Sequence, residues 1–279
     1  MSLEVRRERH ERNQRALDLL ADKVEKVAPD IVVVVGDDQH EWFFDDIQPT
    51  FSIFCADQLV NAAIDPEIFK TKSLGIQLAM SASHPPEDQT YPVPADLARA
   101  IIDGVIADEF DVSVSAKQRS DARGLIGVGH AVGFIYRRIL KDRPIPVIPI
   151  LLNTYFPPNR PTAKRCYQFG QSIGRAISEW NGANAGKRVA ICASGGISHF
   201  VIDEDFDRRM LMAIKNQDTA TIFSEPENMF RSGTSETKNW ITVAGILSQT
   251  SLQMNLIDYV PSCRSEGGTG CGMAFATWE

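Results

Sequence analysis

The chain has 279 residues, with 29 basic and 36 acidic side chains, so its formal net charge is −7 at pH 7. This acidic balance argues against a nucleic acid or an anionic membrane as a partner, because either would require a basic surface. Its 43% apolar and 23% charged residues are those of an ordinary globular protein. No apolar stretch approaches the ~20 residues of a membrane span.

Five widely spaced cysteines without a Cys-x-x-Cys pair argue against a zinc ribbon or a secreted disulfide framework, so we expect a cytoplasmic protein.

Apolar periodicity predicts alternating helices and strands in the first half of the chain. Apolar side chains at three- and four-residue spacing predict a helix over 11–28. The continuous apolar run 31–35 predicts a strand that is buried on both faces, and 51–54 predicts a second, short strand. Helical spacing returns over 94–107, which opens with a proline where helices tolerate one.

The second half of the chain repeats this alternation. Helices are predicted over 133–140, 162–180, 203–214 and 236–254, and strands over 146–152 and 188–193. Strands that alternate with helices favour βα units and a parallel sheet covered on both faces. Since no linker or break in composition divides the chain, we predict one α/β domain over 1–279, with a mainly parallel central sheet flanked by helices.

Three segments stand outside the alternation. Residues 36–49 are acidic and aromatic, residues 81–94 are rich in proline and charge, and residues 261–272 carry four glycines and two cysteines. Functional sites are built from loops at the carboxyl ends of parallel strands. Because residues 36–49 follow the predicted strand 31–35, they are the strongest candidate for such a loop. We expect the tail 255–279 to be a surface extension, with pocket closure or an oligomer contact as alternatives.

Two of the five histidines directly follow predicted strands. His40 comes after 31–35, and His199 ends the glycine-rich segment 194–199 that follows 188–193. Two histidines at strand ends would converge across the carboxyl edge of one sheet. The alternative is that each is an ordinary hydrogen-bonded histidine of a loop.

Carboxylates accompany both regions. An oxygen-activating ferrous site uses two imidazoles and one carboxylate. Asp37, Asp38 and Glu41 lie beside His40, while Glu236 stands in the first turn of the last predicted helix. There, a carboxylate also serves as a favourable charge at a helix N-terminus. The residues by themselves therefore indicate a metal or acid–base site, and a hydrolase with a metal at His40 and the Asp37–Asp38 pair stays open.

Several familiar catalytic motifs are missing from the sequence. It has no H-E-x-x-H, no P-loop and no G-x-S-x-G, which argues against the corresponding zinc hydrolases, nucleotide hydrolases and serine hydrolases. The glycine-rich stretch 124–130 does not match G-x-G-x-x-G and follows no predicted strand, so dinucleotide binding is not expected.

A set of segments resembles one known family. The segments are 32–40, Pro49-Thr50-Phe51, 149–157, Ser194-Gly195-Gly196-Ile197-Ser198-His199, and Glu236 followed by Trp240 and Gly245. Together they resemble the LigB-type, or class III, extradiol ring-cleavage dioxygenases, such as protocatechuate 4,5-dioxygenase, gallate dioxygenase and 3-O-methylgallate dioxygenase. The resemblance runs over most of the chain, and its most specific parts are the Gly-Gly-x-Ser-His element and the Glu with a Trp four residues later.

The resemblance implies a non-haem Fe(II) held by two histidines and a glutamate, with a separate acid–base histidine. Carried over by position, Glu236 matches the carboxylate ligand, and His40 matches the histidine ligand that follows the first long strand. His199 matches the catalytic histidine. His130, in a Gly-His-Ala segment, resembles the second active-site histidine, which contacts substrate.

The sequence departs from the family pattern in two places. The register of the histidine ligand is ambiguous by one residue, so Gln39 or Glu41 are alternatives for it. The first ligand of the family is a histidine in a Ser/Thr-Ser-His element on an N-terminal strand. We expect that strand to be missing, because residues 1–28 are already helix in our prediction, and the third iron ligand is then unassigned. His84 lies in the wrong place in the order, and His10 is expected on a surface helix.

The resemblance therefore implies an Fe(II)-dependent extradiol dioxygenase that opens the ring of a catechol-type substrate, similar to protocatechuate, gallate or methylgallate, with O₂. We expect a homo-oligomer, and a small partner subunit stays open. The alternative is a metal-free or zinc-bound relative on the same fold that acts as a binding protein. The missing first histidine favours that alternative.

Overall fold

A computed structural model describes residues 1–120, 127–184 and 186–279. Its α-helices are α1 (Leu3–Val27), α2 (Pro66–Lys70), α3 (Leu74–Ser81), α4 (Ala95–Ala107), α5 (Gly129–Phe134), α6 (Ala163–Ala183), α7 (Glu204–Lys215), α8 (Thr219–Ser224) and α9 (Thr237–Leu247). The strands are β1 (Ile31–Asp37), β2 (Phe51–Phe54), β3 (Gln58–Asn61), β4 (Gln89–Pro92), β5 (Ser113–Ser115), β6 (Val147–Leu152), β7 (Val189–Ala193), β8 (His199–Val201), β9 (Met254–Cys263) and β10 (Thr269–Trp278). Among these helices, none has the length and apolar character needed to cross a bilayer. Part of the glycine-rich stretch, 124–126, lies outside the described residues.

The central sheet has the strand order β5-β2-β6-β1-β7. β1 runs parallel to both β6 and β7, and β2 runs antiparallel to β6 but parallel to β5. Every residue of β1 is buried, which explains why its sequence is a continuous apolar run rather than an alternating one. The predicted α/β class, with a mainly parallel sheet between helices, is confirmed.

The predicted strands 31–35, 51–54, 146–152 and 188–193 are all present. The predicted helix over 236–254 is wrong in its second half, because α9 ends at Leu247 and β9 begins at Met254. The hydroxyl groups of Ser248 and Thr250 donate to the carbonyl oxygens of Gly245 and Leu247. These side chains occupy the last carbonyl groups of the helix and so favour its end.

The tail is part of the fold, so its expected role as a surface extension is wrong. β9 and β10 form an antiparallel hairpin, and β10 also pairs with β8. Val260 and Phe275 are buried, and the Arg12 side chain on α1 forms an ion pair with Asp258. Small residues and glycines on β10 hid the alternating pattern in the sequence. The register places Cys271 opposite His199, so the hairpin reaches the candidate site.

The helices α6 and α9 pack at backbone contact distance, and this fixes the position of α9. A Cβ atom at Gly170 would overlap the carbonyl oxygen of Thr242, and one at Gly245 would overlap that of Tyr167. Only glycine permits this close approach. Because Glu236 directly precedes α9, the packing also sets the position of that carboxylate.

Candidate active site

The carboxyl ends of β1 and β7 lie side by side, and polar groups follow both strands. Val35 pairs with Ala193. Gly36 and Asp37 complete β1 after Val35, and Ser194 follows the end of β7. The side-chain amide of Asn239 on α9 donates to Asp37 Oδ1 at 3.1 Å and to the carbonyl oxygen of Ser194 at 2.8 Å. One side chain of α9 therefore ties the two strand ends together.

His199 and Glu236 face each other at this edge, with His199 Nε2 3.4 Å from Glu236 Oε2. The carbonyl oxygen of Gly233 lies 3.2 Å from His199 Nδ1. Because a carbonyl only accepts, Nδ1 carries the hydrogen of the neutral ring, and Nε2 is left unprotonated toward Glu236. The other contact of Glu236 Oε2 is the backbone N–H of Gly196 at 3.2 Å.

Both groups of this pair have displaced pKa values. Burial and the neighbouring charge of Asp37 raise the pKa of Glu236 to about 8. Burial lowers the pKa of His199 below its ordinary value. At neutral pH the carboxyl group therefore carries its proton and the imidazole is uncharged. A neutral base beside an acid of raised pKa is an arrangement typical of proton-transfer sites.

The turn that carries His199 is held from α9 and β10. Trp240 Nε1 donates to the carbonyl oxygen of Gly195 at 3.0 Å, which gives the Trp four residues after Glu236 a structural role. A Cβ atom at Gly196 would lie 2.6 Å from Cys271 Sγ and 3.0 Å from the His199 ring. Glycine is therefore required where the turn passes under the histidine.

A second histidine, His130, is paired with Glu41. Glu41 Oε1 accepts the backbone N–H of His130 at 2.7 Å, and Oε2 lies 2.8 Å from the ring Nδ1. Burial opposes the charged ring, but the hydrogen bond and the charge of Glu41 outweigh it and raise the pKa of His130 to about 10. Burial also opposes the Glu41 charge, and its bonds to His130 lower its pKa nonetheless. The two side chains form an ion pair at neutral pH.

We predict that Glu41→Gln moves the pKa of His130 from about 10 toward the ordinary 6.5. The pair stabilises the fold fully between pH 4.5 and 6.5, where both groups are charged even in the unfolded chain. That contribution is lost as the pH rises through the folded pKa of His130 or falls through that of Glu41. An NMR titration of the His130 ring measures the shift. Asp45→Asn is the control, and an unchanged pKa in Glu41→Gln would contradict the ion pair.

The structure does not bring His40 to His199 or Glu236. His40 has a φ of 58°, and its ring stacks on Phe156 with centroids 3.8 Å apart. Its Nε2 lies 3.8 Å from the exposed carboxylate of Asp45. Gln39, the residue before His40, points toward β1 instead, where its Nε2 donates to Asp37 Oδ2 at 2.7 Å. Of the three register alternatives, His40 faces the loop, Glu41 binds His130, and Gln39 faces the end of β1.

The other two histidines lie away from this edge. His84 Nδ1 is 3.2 Å from the carbonyl oxygen of Ala62, and its Cε1 packs near Gly127. His10 is exposed on α1.

A facial Fe(II) site requires three convergent ligands. Within residues 1–120, 127–184 and 186–279, no group of three or more His, Cys, Asp or Glu side chains is placed to hold a metal ion. Glu236 is engaged by Gly196 and His199, and Asp37 by Gln39 and Asn239. As placed here, the residues do not fit Fe(II), and we assign no step to it. The predicted ligands and the cofactor stay predictions.

Two residues that build this edge have roles that the sequence does not indicate. Asn239 carries no signal beyond its place one turn after Glu236, and the sequence indicates Glu41 only as a candidate metal ligand. Glu41 and His130 are 89 residues apart in the chain, so their pairing depends on how the loops meet.

The fold and this edge together define an α/β protein with paired acid–base side chains where parallel strands end. Residues 4–270 match the family described as the catalytic LigB subunit of aromatic ring-opening dioxygenase. The match covers nearly the whole chain, and the chain belongs to this family. The resemblance drawn from its sequence motifs is confirmed.

Curated relatives carry the name 2,3-dihydroxyphenylpropionate/2,3-dihydroxicinnamic acid 1,2-dioxygenase. The chain is 33% identical to that of Cupriavidus necator over 178 residues, which cover 64% of this chain and 46% of the relative. It is 31% identical to that of Burkholderia vietnamiensis over 189 residues, or 68% and 48% of the two chains. For the protein of Comamonas testosteroni the identity is 26% over 176 residues, or 63% and 45%. The matched part thus spans about half the length of these relatives.

Proposed function

We propose that the chain is an extradiol dioxygenase that opens the ring of a catechol-type diol with O₂. The observation that carries the proposal is the neutral pair of His199 and Glu236 at the carboxyl edge of the sheet. Membership of a family of ring-opening dioxygenases supports the reaction class. The names of the relatives support a substrate with two adjacent hydroxyl groups on the ring, which is the defining feature of a catechol.

The side chains can move the protons that ring opening requires. Nε2 of His199, held unprotonated by the Nδ1 contact to Gly233, accepts a proton from a phenolic hydroxyl of the diol. The diolate is a better electron donor than the diol, and both atoms of O₂ enter the product. His130, kept charged by Glu41, offers a hydrogen bond and a positive charge to the anion. After the ring opens, His199 returns its proton.

Iron content and oxygen uptake test the proposal directly. The chain is loaded with Fe(II) under anaerobic conditions, and its metal content is measured. Catechol, protocatechuate, gallate and 2,3-dihydroxyphenylpropionate are then added with O₂. We expect consumption of one O₂ per ring opened with at least one diol, and loss of turnover in Glu236→Gln. Absence of uptake with every diol, in a chain shown to hold iron, would overturn the proposal.

A second candidate is a diol-binding protein without iron. The position of His40 against Phe156, and the lack of a three-donor group within the described ranges, favour it. Calorimetric titration with each diol in the presence of a chelator distinguishes the two candidates. Tight binding of a diol without metal, together with no O₂ uptake after iron loading, would select the binding protein. Homo-oligomerisation, a small partner subunit and a cytoplasmic location stay predictions.

A further inference from the structure

A buried carboxylate that the proposed chemistry does not use lies close to the His199 turn. Asp207 stands in the first turn of α7 and is 0% exposed. Its Oδ2 accepts hydrogen bonds from Ser198 Oγ at 2.7 Å and from the Tyr259 hydroxyl at 2.6 Å. Its Oδ1 is buried and has no partner among the described residues. A carboxylate held this way costs stability, and such costs are typical of groups kept for a functional reason.

Ser198, which directly precedes His199, is held on both its side chain and its backbone. Its hydroxyl donates to Asp207 and accepts the backbone N–H of Asp203 at 3.1 Å. Its carbonyl oxygen accepts the N–H of Gly272 at 2.7 Å, and the N–H of Ile197 donates to the carbonyl of Gly272 at 3.0 Å. The residue before the histidine is therefore fixed from α7 and from β10 at once.

The hairpin closes over this network without room for adjustment. A Cβ atom at Gly272 would overlap Asp207 Oδ2 and would lie 3.2 Å from Ser198 Oγ. On the other side of the turn, a Cβ atom at Gly233 would overlap the carbonyl oxygen of His199. Because Gly272 contacts the turn on one side and Gly233 contacts it on the other, a displacement of Ser198 also moves the backbone of His199.

We propose that Asp207 is a positioning residue for His199: through Ser198 it fixes the turn so that Nδ1 meets the carbonyl of Gly233 and Nε2 faces Glu236. Its importance for turnover rests on the proposed function, whereas its effect on the orientation of the ring does not. Tyr259 shares the same carboxylate oxygen but has no bond to the turn, so its hydroxyl stabilises the network without orienting the histidine.

Four variants of the full chain separate positioning from general stability. Asp207→Ala and Ser198→Ala each break the link to the turn, and Tyr259→Phe removes the other bond to Asp207 as a matched control. Asp207→Asn keeps an oxygen that accepts from Ser198 and is the conservative rescue. Each variant is examined for its melting temperature, for the tautomer of His199 by NMR with a chelator present, and for kcat and KM.

We expect Asp207→Ala and Ser198→Ala to lose the single Nδ1–H tautomer of His199 and to lower kcat by about 10- to 100-fold with KM little changed. Tyr259→Phe should lower the melting temperature by a comparable amount but keep the single tautomer of His199. Asp207→Asn should restore that tautomer. An unaltered tautomer in both alanine variants would overturn the proposal and make Asp207 a purely structural group. If the wild-type chain turns over no diol, the proposed function fails, but the NMR result still decides the role of Asp207.

Discussion

His199→Ala is expected to lower kcat for ring opening by about 100- to 10,000-fold, the range that a general acid–base group contributes. The reason is that Nε2 of His199 is the unprotonated nitrogen that faces Glu236 at the carboxyl edge of the sheet. The diol should still bind, since the ion pair of His130 and Glu41 is left in place. Steady-state oxygen uptake and calorimetric titration of the diol measure the two effects.

The matched control is His10→Ala, which removes an exposed histidine on α1. This variant should keep the wild-type kcat. We also expect His199→Ala to retain any iron that the wild-type chain binds. Loss of iron in this variant would make His199 a metal ligand, and wild-type turnover would exclude it from the proton transfer.

Glu227→Ala is expected to destabilise the fold by about 2–4 kcal/mol, because it leaves a buried ammonium group without its counter-ion. Lys238 on α9 is only 2% exposed, and its Nζ lies 3.2 Å from Glu227 Oε2 and 5.8 Å from the centre of the Phe230 ring. Glu227 Oε1 also accepts the N–H of Ala163 at the start of α6, and that bond is lost as well. Urea unfolding measures the change in free energy.

Lys238→Met tests the same ion pair from the other side. Glu227 is 38% exposed, so water can solvate its carboxylate when the lysine is gone. Methionine fills a similar volume without charge, and we expect a change of less than about 1 kcal/mol in the free energy of unfolding. A larger loss of stability in Lys238→Met than in Glu227→Ala would contradict this account of the pair.

Local patterns in the sequence were sufficient for four strands of the central sheet, β1, β2, β6 and β7, but did not predict the short edge strand β5. The apolar run of β1 is continuous because the strand is buried on both faces, so consecutive residues must all be apolar or small. The start of α9 next to Glu236 and the glycine-rich turn before His199 could be located in the same way. These features depend on neighbours in the chain, so their signals survive without the tertiary structure.

The hairpin β9–β10 could not be predicted from local patterns. Its strands contain glycine, serine and alanine, and Gly270 pairs with β8 while Gly272 lies against Asp207, so the usual alternation of apolar and polar residues is weak. Small residues are required there because backbone approaches side chain closely, as at Gly272. The composition that suggested a surface tail is a consequence of tight packing.

The sequence by itself determined the α/β class, the family and the segments that meet at the carboxyl edge of the sheet. Only the tertiary structure decided which side chains face one another there. Gln39 and His40 are adjacent in the chain, yet one faces Asp37 and the other stacks on Phe156. Likewise, Glu41 meets His130 and Asp207 reaches the His199 turn from separate elements. The physical reason is that hydrophobic periodicity is a local property, whereas a polar site depends on the relative positions of loops distant in sequence.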